Sequence, residues 1–288
     1  MLEDRDTWID PAGPAVGQAL YDAAWTQPQP VERYVLLDAT FAPGLPARLA
    51  RWLELEDYCS LYARRYEGEG LDEVAPYLLR LPWVPALRQP LCDKLMALTR
   101  GRPMLSLLFS AATLEQLADH LRAQIEAVGA DGRAYLLRLA DTRALAALLD
   151  VLTSAQRQRL LAGIARWSYV ERAGDLQSIE GGPPAAPAIE PTPYQIDADQ
   201  QRQLQQLALP DAILRFVQLR AGLFGELACR PAAAHRLIDE GVQRLARRGV
   251  DHDALAYRHA LTLLRRHGLL TSAHSSPTPV VSSLEPQS

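Results

Sequence analysis

Lysine is nearly missing from this chain of 288 residues: Lys94 stands alone, and the basic charge is carried by arginine. Arginine's planar fork suits carboxylate pairing and interfaces, but the bias runs along the whole chain, and a GC-rich coding sequence accounts for it. Excess charge of either sign is also missing. A formal net charge of −4 favours protein partners over a phosphate backbone or an anionic membrane surface, so nucleic acid and membrane partners are not expected. Cysteines are few and scattered. Cys59, Cys92 and Cys229 are odd in number and form no CxxC, so neither a disulfide framework nor a zinc site is indicated, and buried free thiols are expected. No apolar run approaches the ~20 residues of a spanning helix; the longest, near residues 104–114, is interrupted by Ser106 and Ser110. The opening residues Met1 to Asp6 are acidic where a signal peptide needs positive charge. The expectation is a cytoplasmic protein.

The motifs of several chemistries are missing too. There is no GxxxxGKS/T loop, and the glycine pair Gly181 and Gly182 is followed by prolines rather than by a helix N-terminus. GxSxG and HExxH do not occur, and His235, His252, His259, His267 and His274 lie seven or more residues apart. No cofactor and no metal are expected. The carboxylates Glu54, Glu56, Asp57, Asp72 and Glu73 cluster along the chain, but a glycosidase pair is defined by separation across a cleft. Solvated loop ends are the expected role of these acids, and no catalytic residue is assigned.

What is present is an ordinary core-forming composition, 48% hydrophobic and 22% charged. The length suits one large domain or two unequal ones. Arg33 to Asp38 has the pattern of a buried strand, and Pro43 to Glu54 that of a helix with Leu45, Leu49, Trp52 and Leu53 on one face. Tyr58 to Tyr62, Tyr77 to Leu81, Pro103 to Phe109, Arg133 to Leu139 and Ile164 to Val170 complete the expected strands, with a helix over Pro85 to Leu98. Thr113 and Gln116 have capping-box spacing, and Leu114, Leu117, Ala118, Leu121, Ile125 and Val128 continue at helical intervals. Asp141 opens another helix through Val151, and Thr153 with Gln156 repeats the capping-box spacing for a helix to Leu161.

The expected class is α/β: an N-terminal lobe over residues 1–180, with a mixed sheet covered by helices, followed by a smaller all-helical lobe over residues 197–270. The Pro- and Gly-rich stretch 181–196 is expected to link them. Four helices are expected beyond it, about Asp197 to Ala208, Asp211 to Phe224, Ala232 to Arg248 and Asp253 to His267, the last closed by Arg265, Arg266, His267 and Gly268. Residues 271–288, rich in Ser, Pro and Thr, are expected to be disordered.

One charged grouping stands out. Arg138 and Arg143 bracket Asp141 at a strand-to-helix junction. Asp141 can cap the helix while either arginine closes a salt link across the turn, or the three can dock a partner. In the helical half, Arg215 and Arg220 belong to a mildly basic set of helices that can face solvent or complement an acidic client.

In order along the chain, Tyr34 to Asp38, Ser60 to Tyr62, Ala75 to Leu81, Leu105 and Ser106, Thr113 to Leu117 with His120 to Arg122, Asp131 and Gly132, Leu137 and Arg138, and Asp141 to Arg143 resemble the Tap/TEC family. These are adaptor and effector-chaperone proteins of bacterial type VI secretion. The likeness extends through Gln158 and Trp167 and covers about Tyr34 to Trp167. Family members usually carry Asp-Pro-Arg where this chain has Asp141, Thr142 and Arg143. The resemblance implies a non-catalytic adaptor that binds a cognate toxic effector, often at its N-terminal region, in a cleft between two lobes and loads it onto the C-terminal region of the VgrG spike. The positions to which it and the arginine pattern assign partner contacts are Asp38, Tyr62, Arg138, Asp141, Arg143, Arg215 and Arg220. A cytoplasmic hydrolase with an interlobe site and an immunity protein that blocks the toxin are the competing functions.

Overall fold

The computed structural model describes residues 7–21, 31–181, 192–250 and 252–271. The expected disordered tail therefore lies outside the described residues from 272 on, as do the opening acidic residues and residues 182–191 of the expected linker. The chain divides into two compact units, residues 1–210 and residues 211–288.

The first unit is built on a six-stranded sheet of order β2-β3-β1-β4-β7-β8, with every neighbouring pair antiparallel. Its strands are β1 (Glu32–Asp38), β2 (Tyr58–Ser60), β3 (Pro76–Arg80), β4 (Leu105–Ser110), β7 (Arg166–Val170) and β8 (Leu176–Glu180). Side chains alternate across a strand, yet β1 and β4 carry unbroken apolar runs, Tyr34 to Leu37 and Leu107 to Phe109, because both faces of the sheet are covered. Val35, Leu37, Leu79, Leu107 and Phe109 face one cluster, filled by α1 (Pro14–Tyr21), α2 (Leu45–Trp52) and α3 (Pro85–Thr99). Tyr34, Leu36, Leu78, Leu108 and Trp167 face the other, filled by α4 (Leu114–Arg122), α5 (Thr142–Val151) and α6 (Ser154–Leu160). This is the expected helix-covered sheet.

Local signals set where these helices begin. In α4 the Thr113 Oγ1 accepts from the Gln116 amide at 3.3 Å, and Gln116 Oε1 accepts from the Thr113 amide at 3.0 Å. Thr153 and Gln156 repeat the arrangement at α6. Each pair satisfies two amides that a helix start leaves orphaned.

Where α4 ends, the structure departs from the sequence pattern. The helical spacing of Ile125 and Val128 predicts a longer helix, but α4 stops at Arg122 and Glu126–Gly129 form β5. Arg122 is buried at that end, donating to the Ser60 carbonyl at 3.0 Å and to Asp119 at 2.8 Å. Strand β5 then sits between β6 (Ala134–Leu136) and β9 (Tyr194–Ile196) in a three-stranded sheet of order β6-β5-β9. The β5–β9 pairing is parallel. It joins residues too distant in sequence for any local pattern to register, and it outweighs helix periodicity. The expected strand from Tyr58 to Tyr62 likewise shortens to Tyr58–Ser60, and that from Arg133 to Leu139 to Ala134–Leu136.

Helix α7 (Ala198–Leu219) is a second correction. Two helices broken near Pro210 are expected, but Pro210 lies inside one continuous helix, followed by the short α8 (Ala221–Phe224). A proline removes one hydrogen bond of the ladder, and burial of Ile213, Leu214 and Val217 just beyond it offsets that cost. The boundary between the two units falls directly after Pro210.

In the second unit α9 (Pro231–Ala246) packs on α10 (Asp253–Arg266). Ala234, Ile238 and Val242 bury on the first, and Ala256, Ala260, Leu263 and Leu264 on the second. The helix end read from Arg265 to Gly268 is present: Gly268 has φ +68°, and the Leu269 amide returns to the Leu264 carbonyl at 2.9 Å.

Candidate functional site

Asp38 is the last residue of β1, where the chain must turn away from the sheet. Its Oδ1 accepts from the Thr40 amide at 3.0 Å and from the Thr40 hydroxyl at 2.5 Å, capping a single turn of 3-10 helix over Ala39–Phe41. The remaining oxygen, Oδ2, receives Arg138 Nη2 at 2.9 Å. That nitrogen also reaches the Thr40 hydroxyl at 2.8 Å.

Arg138 and Asp141 occupy the loop between β6 and α5. The Asp141 amide donates to the Arg138 carbonyl at 3.2 Å, a tight turn that puts both side chains on one side of the loop. Asp141 is the N-cap of α5: Oδ1 accepts from the Arg143 amide at 3.1 Å. The Arg143 guanidinium grips the same carboxylate through two nitrogens, Nε at 3.1 Å and Nη2 at 3.0 Å. Arg138 Nη1 lies 3.3 Å from Asp141 Oδ2. Asp141 is therefore both the helix cap and the shared partner of two arginines, the structural role open to it from sequence.

Aromatic rings close the cluster from the apolar side. Phe41 lies under both arginines, with the Arg138 Cζ 5.2 Å and the Arg143 Cζ 5.4 Å from its centroid. Trp8 stacks on Arg143 at 4.7 Å and meets Phe41 edge-on at 5.4 Å. Arginine held this way presents its flat face to a ring and its edge to a carboxylate. Neither Trp8 nor Thr40 was singled out from sequence. Trp8 sits in a segment with no periodic pattern, and only the spacing of Asp38 and Thr40, that of an Asx turn, carried a signal.

Exposure separates the members of the cluster. The side chains of Asp38 and Asp141 are 5% and 4% exposed, Arg143 is 11% exposed, and Arg138 is 44% exposed. The negative charge is turned inward, and the guanidinium of Arg138 is the part that faces solvent. Tyr62 lies beside it. Burial pushes its hydroxyl pKa up, the charge of Asp38 adds to that rise, and Arg138 opposes it. Tyr62 packs edge-on against Tyr66 at 5.2 Å. The structure thus gathers Asp38, Tyr62, Arg138, Asp141 and Arg143 from three separate stretches of sequence.

Arg215 and Arg220 belong to the second unit. Arg220 is exposed at the end of α7 with its Cζ 4.1 Å from the Phe216 ring, and Phe216 in turn meets Tyr257 at 5.0 Å and Phe224 at 5.5 Å. Arg215 is half-buried on the same helix.

The clustered acids have local partners. Asp57 is held by Arg80 at 2.6 Å, and Glu73 accepts from the Gly44 amide at 2.9 Å. Among the described residues no group of three or more His, Cys, Asp or Glu is placed to hold a metal ion, and no helix is long and apolar enough to cross a membrane. Burial pushes the Cys59 and Cys92 thiols up to about 11, far from the thiolate character a nucleophile needs.

Set beside known proteins, residues 33–159 match the model of a family described as a domain of unknown function, DUF4123. No curated protein and no solved structure matches the chain. The matched stretch runs from β1 to α6 and holds Asp38, Tyr62, Arg138, Asp141 and Arg143. Trp8, β7, β8 and β9 complete the unit from outside it.

Proposed function

We propose, from the premise that residues 33–159 form a DUF4123 domain, known as the Tap/TEC family of type VI secretion effector adaptors, that this chain binds a cognate toxic effector in the cytoplasm and loads it onto the VgrG spike without catalysis. The observation that carries the reading is the Arg138 cluster inside the matched stretch. Asp38 and Asp141 are buried and already engaged by guanidinium and hydroxyl donors. That arrangement suits recognition better than acid–base chemistry, because both carboxylates of the cluster are already held by donors of this chain. The half-exposed Arg138 guanidinium, fixed in orientation by two carboxylates and the Phe41 ring, is a preorganised donor for a partner's acidic or carbonyl group.

Tyr62 and Arg143 frame that donor, one by packing beside it and one by holding Asp141. Arg215 and Arg220 are assigned to the same partner-binding function from the second unit, where Arg220 over Phe216 combines positive charge with aromatic surface.

The test is co-purification of the full chain with the product of a neighbouring large gene and with the VgrG C-terminal region, followed by mass measurement. A stoichiometric complex containing both is the expected result. Binding to neither partner would overturn the reading. A complex in which the effector's toxic activity is blocked, with no contact to the spike, would replace it by an immunity function.

A further inference from the structure

The small sheet has two edges, and they are finished differently. At the β9 edge, side chains from α6 cover the backbone: Gln156 Nε2 donates to the Gln195 carbonyl at 2.8 Å, and Arg159 donates to the Thr192 carbonyl. At the β6 edge nothing comparable is present among the described residues. Ala134, Tyr135 and Leu136 are all exposed.

The register says which backbone groups that edge presents. Residues Glu126, Ala127 and Val128 of β5 stand opposite Leu136, Tyr135 and Ala134. The Leu137 amide donates to the Ile125 carbonyl at 2.8 Å, and the Gly129 amide to the Arg133 carbonyl at 2.9 Å. Hydrogen-bonded pairs alternate along an antiparallel ladder, so Tyr135 turns its N–H and C=O toward Ala127. Ala134 and Leu136 must turn theirs away from β5. Two donors and two acceptors thus face outward at a two-residue spacing, which is the repeat of an extended peptide.

Beside this edge lies an open pocket of about 260 Å³, lined by Tyr66, Val128, Ala134, Leu136 and Pro193 among others. At the two ends of β6 stand Arg133, whose side chain is 81% exposed, and Arg138. Asp131, the acid nearest Arg133, is engaged by the Tyr135 hydroxyl at 2.9 Å and by the Arg133 amide at 3.0 Å. Each end of the strand thus carries a partly exposed guanidinium: that of Arg133, with its Nε 3.7 Å from Asp131 Oδ2, and that of Arg138, held by Asp38 and Asp141.

We infer that β6 is a docking edge on which an extended segment of the effector adds as a fourth strand, with an apolar side chain in the Tyr66–Leu136 pocket and acidic side chains meeting Arg133 and Arg138. This inference rests on the adaptor reading and supplies its mode of binding. Main-chain pairing provides affinity, and the pocket and the two arginines provide selectivity. It also explains why Arg138 is the exposed member of its cluster: it stands where the added strand would end.

The experiment is amide hydrogen exchange on the full chain, alone and in complex with the effector recovered by co-purification, together with Ala134→Pro. Proline at 134 removes an outward N–H without touching the β5 ladder, as an edge strand tolerates; Ala134→Ser keeps that N–H and is the control. Expected are fast exchange at Ala134 and Leu136 in the free protein, protection in the complex, and effector binding weakened about tenfold in Ala134→Pro but not in Ala134→Ser, with unchanged melting. Protection in the free protein would overturn the inference, marking an edge already covered by this chain or, if concentration-dependent, by a second copy. A complex that forms with Ala134 and Leu136 still exchanging fast would also overturn it while leaving the adaptor reading intact. Absence of any complex would sink both, and is told apart by the missing partner.

Discussion

Arg138 and Asp38, one hundred positions apart in sequence, meet at 2.9 Å, and the contact joins the end of the central strand to the loop that starts α5. The partners are unequal. Asp38 is almost wholly buried and Arg138 is nearly half exposed, so losing one is not equivalent to losing the other.

Arg138→Ala leaves a buried carboxylate with only Thr40 as a donor and is expected to cost about 1–3 kcal/mol in denaturant unfolding. Asp38→Asn leaves a guanidinium that water can reach and should cost less. Equal losses, or the reverse order, would show that the pair is not the buried anchor described here. Both variants should weaken effector binding more than they destabilise the fold if the cluster is a docking site.

Thr142 is the first residue of α5, directly after the Asp141 cap. Its amide donates to the Pro103 carbonyl at 2.9 Å, tying the start of α5 to the approach of β4. Proline would suit the first helical position and stiffen the unfolded chain, gaining roughly 0.4–1 kcal/mol, but it would leave the Pro103 carbonyl without that donor, a loss of about 1–3 kcal/mol. Thr142→Pro is therefore expected to lower the thermal midpoint. A raised midpoint would mean the Pro103 contact contributes little.

His120 lies on α4 with Nε2 2.9 Å from the Leu160 carbonyl. Burial pushes its pKa down, the Leu160 contact opposes that, and the nearby Arg159 adds to the lowering. The unfolded chain takes up this proton near pH 6.5 and the folded chain only at lower pH. Its contribution to stability is thus present above about 6.5 and is lost as the pH falls from there toward the folded value. Melting curves at pH 7.5 and 5.0 should converge more closely for His120→Gln than for the wild type; identical pH dependence would rule this group out.

Two glycines with positive φ separate strain from crowding. Gly132, at φ +74°, turns β5 into β6 with open space where a Cβ would stand. Gly174, at φ +82°, turns β7 into β8, and a Cβ there would lie 2.3 Å from the Pro11 carbonyl oxygen. Gly132→Ala should cost about 1 kcal/mol for backbone strain alone. Gly174→Ala should cost clearly more and loosen the segment around Pro11, read as increased proteolysis near the N-terminus. Similar losses at both sites would contradict the close approach.

The element types were legible in the sequence wherever the signal lies within one turn of chain. Thr113 with Gln116, Thr153 with Gln156, the Asp141 cap and the Gly268 helix end all depend on contacts five residues apart or fewer, so sequence spacing alone determined them. The strands β1, β3, β4 and β7 were legible too, because each carries a short run of apolar and aromatic residues that is largely buried. The matched family stretch and its arginines at 138 and 143 could likewise be read along the chain.

Tertiary structure alone decided the rest. Residues Glu126–Gly129 carry a helical spacing but become β5, because pairing with β6 and with the distant β9 satisfies their backbone and buries Ala127. Pro210 reads as a break, yet α7 passes through it, because the apolar residues beyond it bury in a continuous helix. Trp8 joins Arg143, and Asp38 joins Arg138, across distances over which propensity has no reach. Burial of apolar surface and satisfaction of backbone groups are properties of the whole folded chain, and where they conflict with a local pattern they prevail.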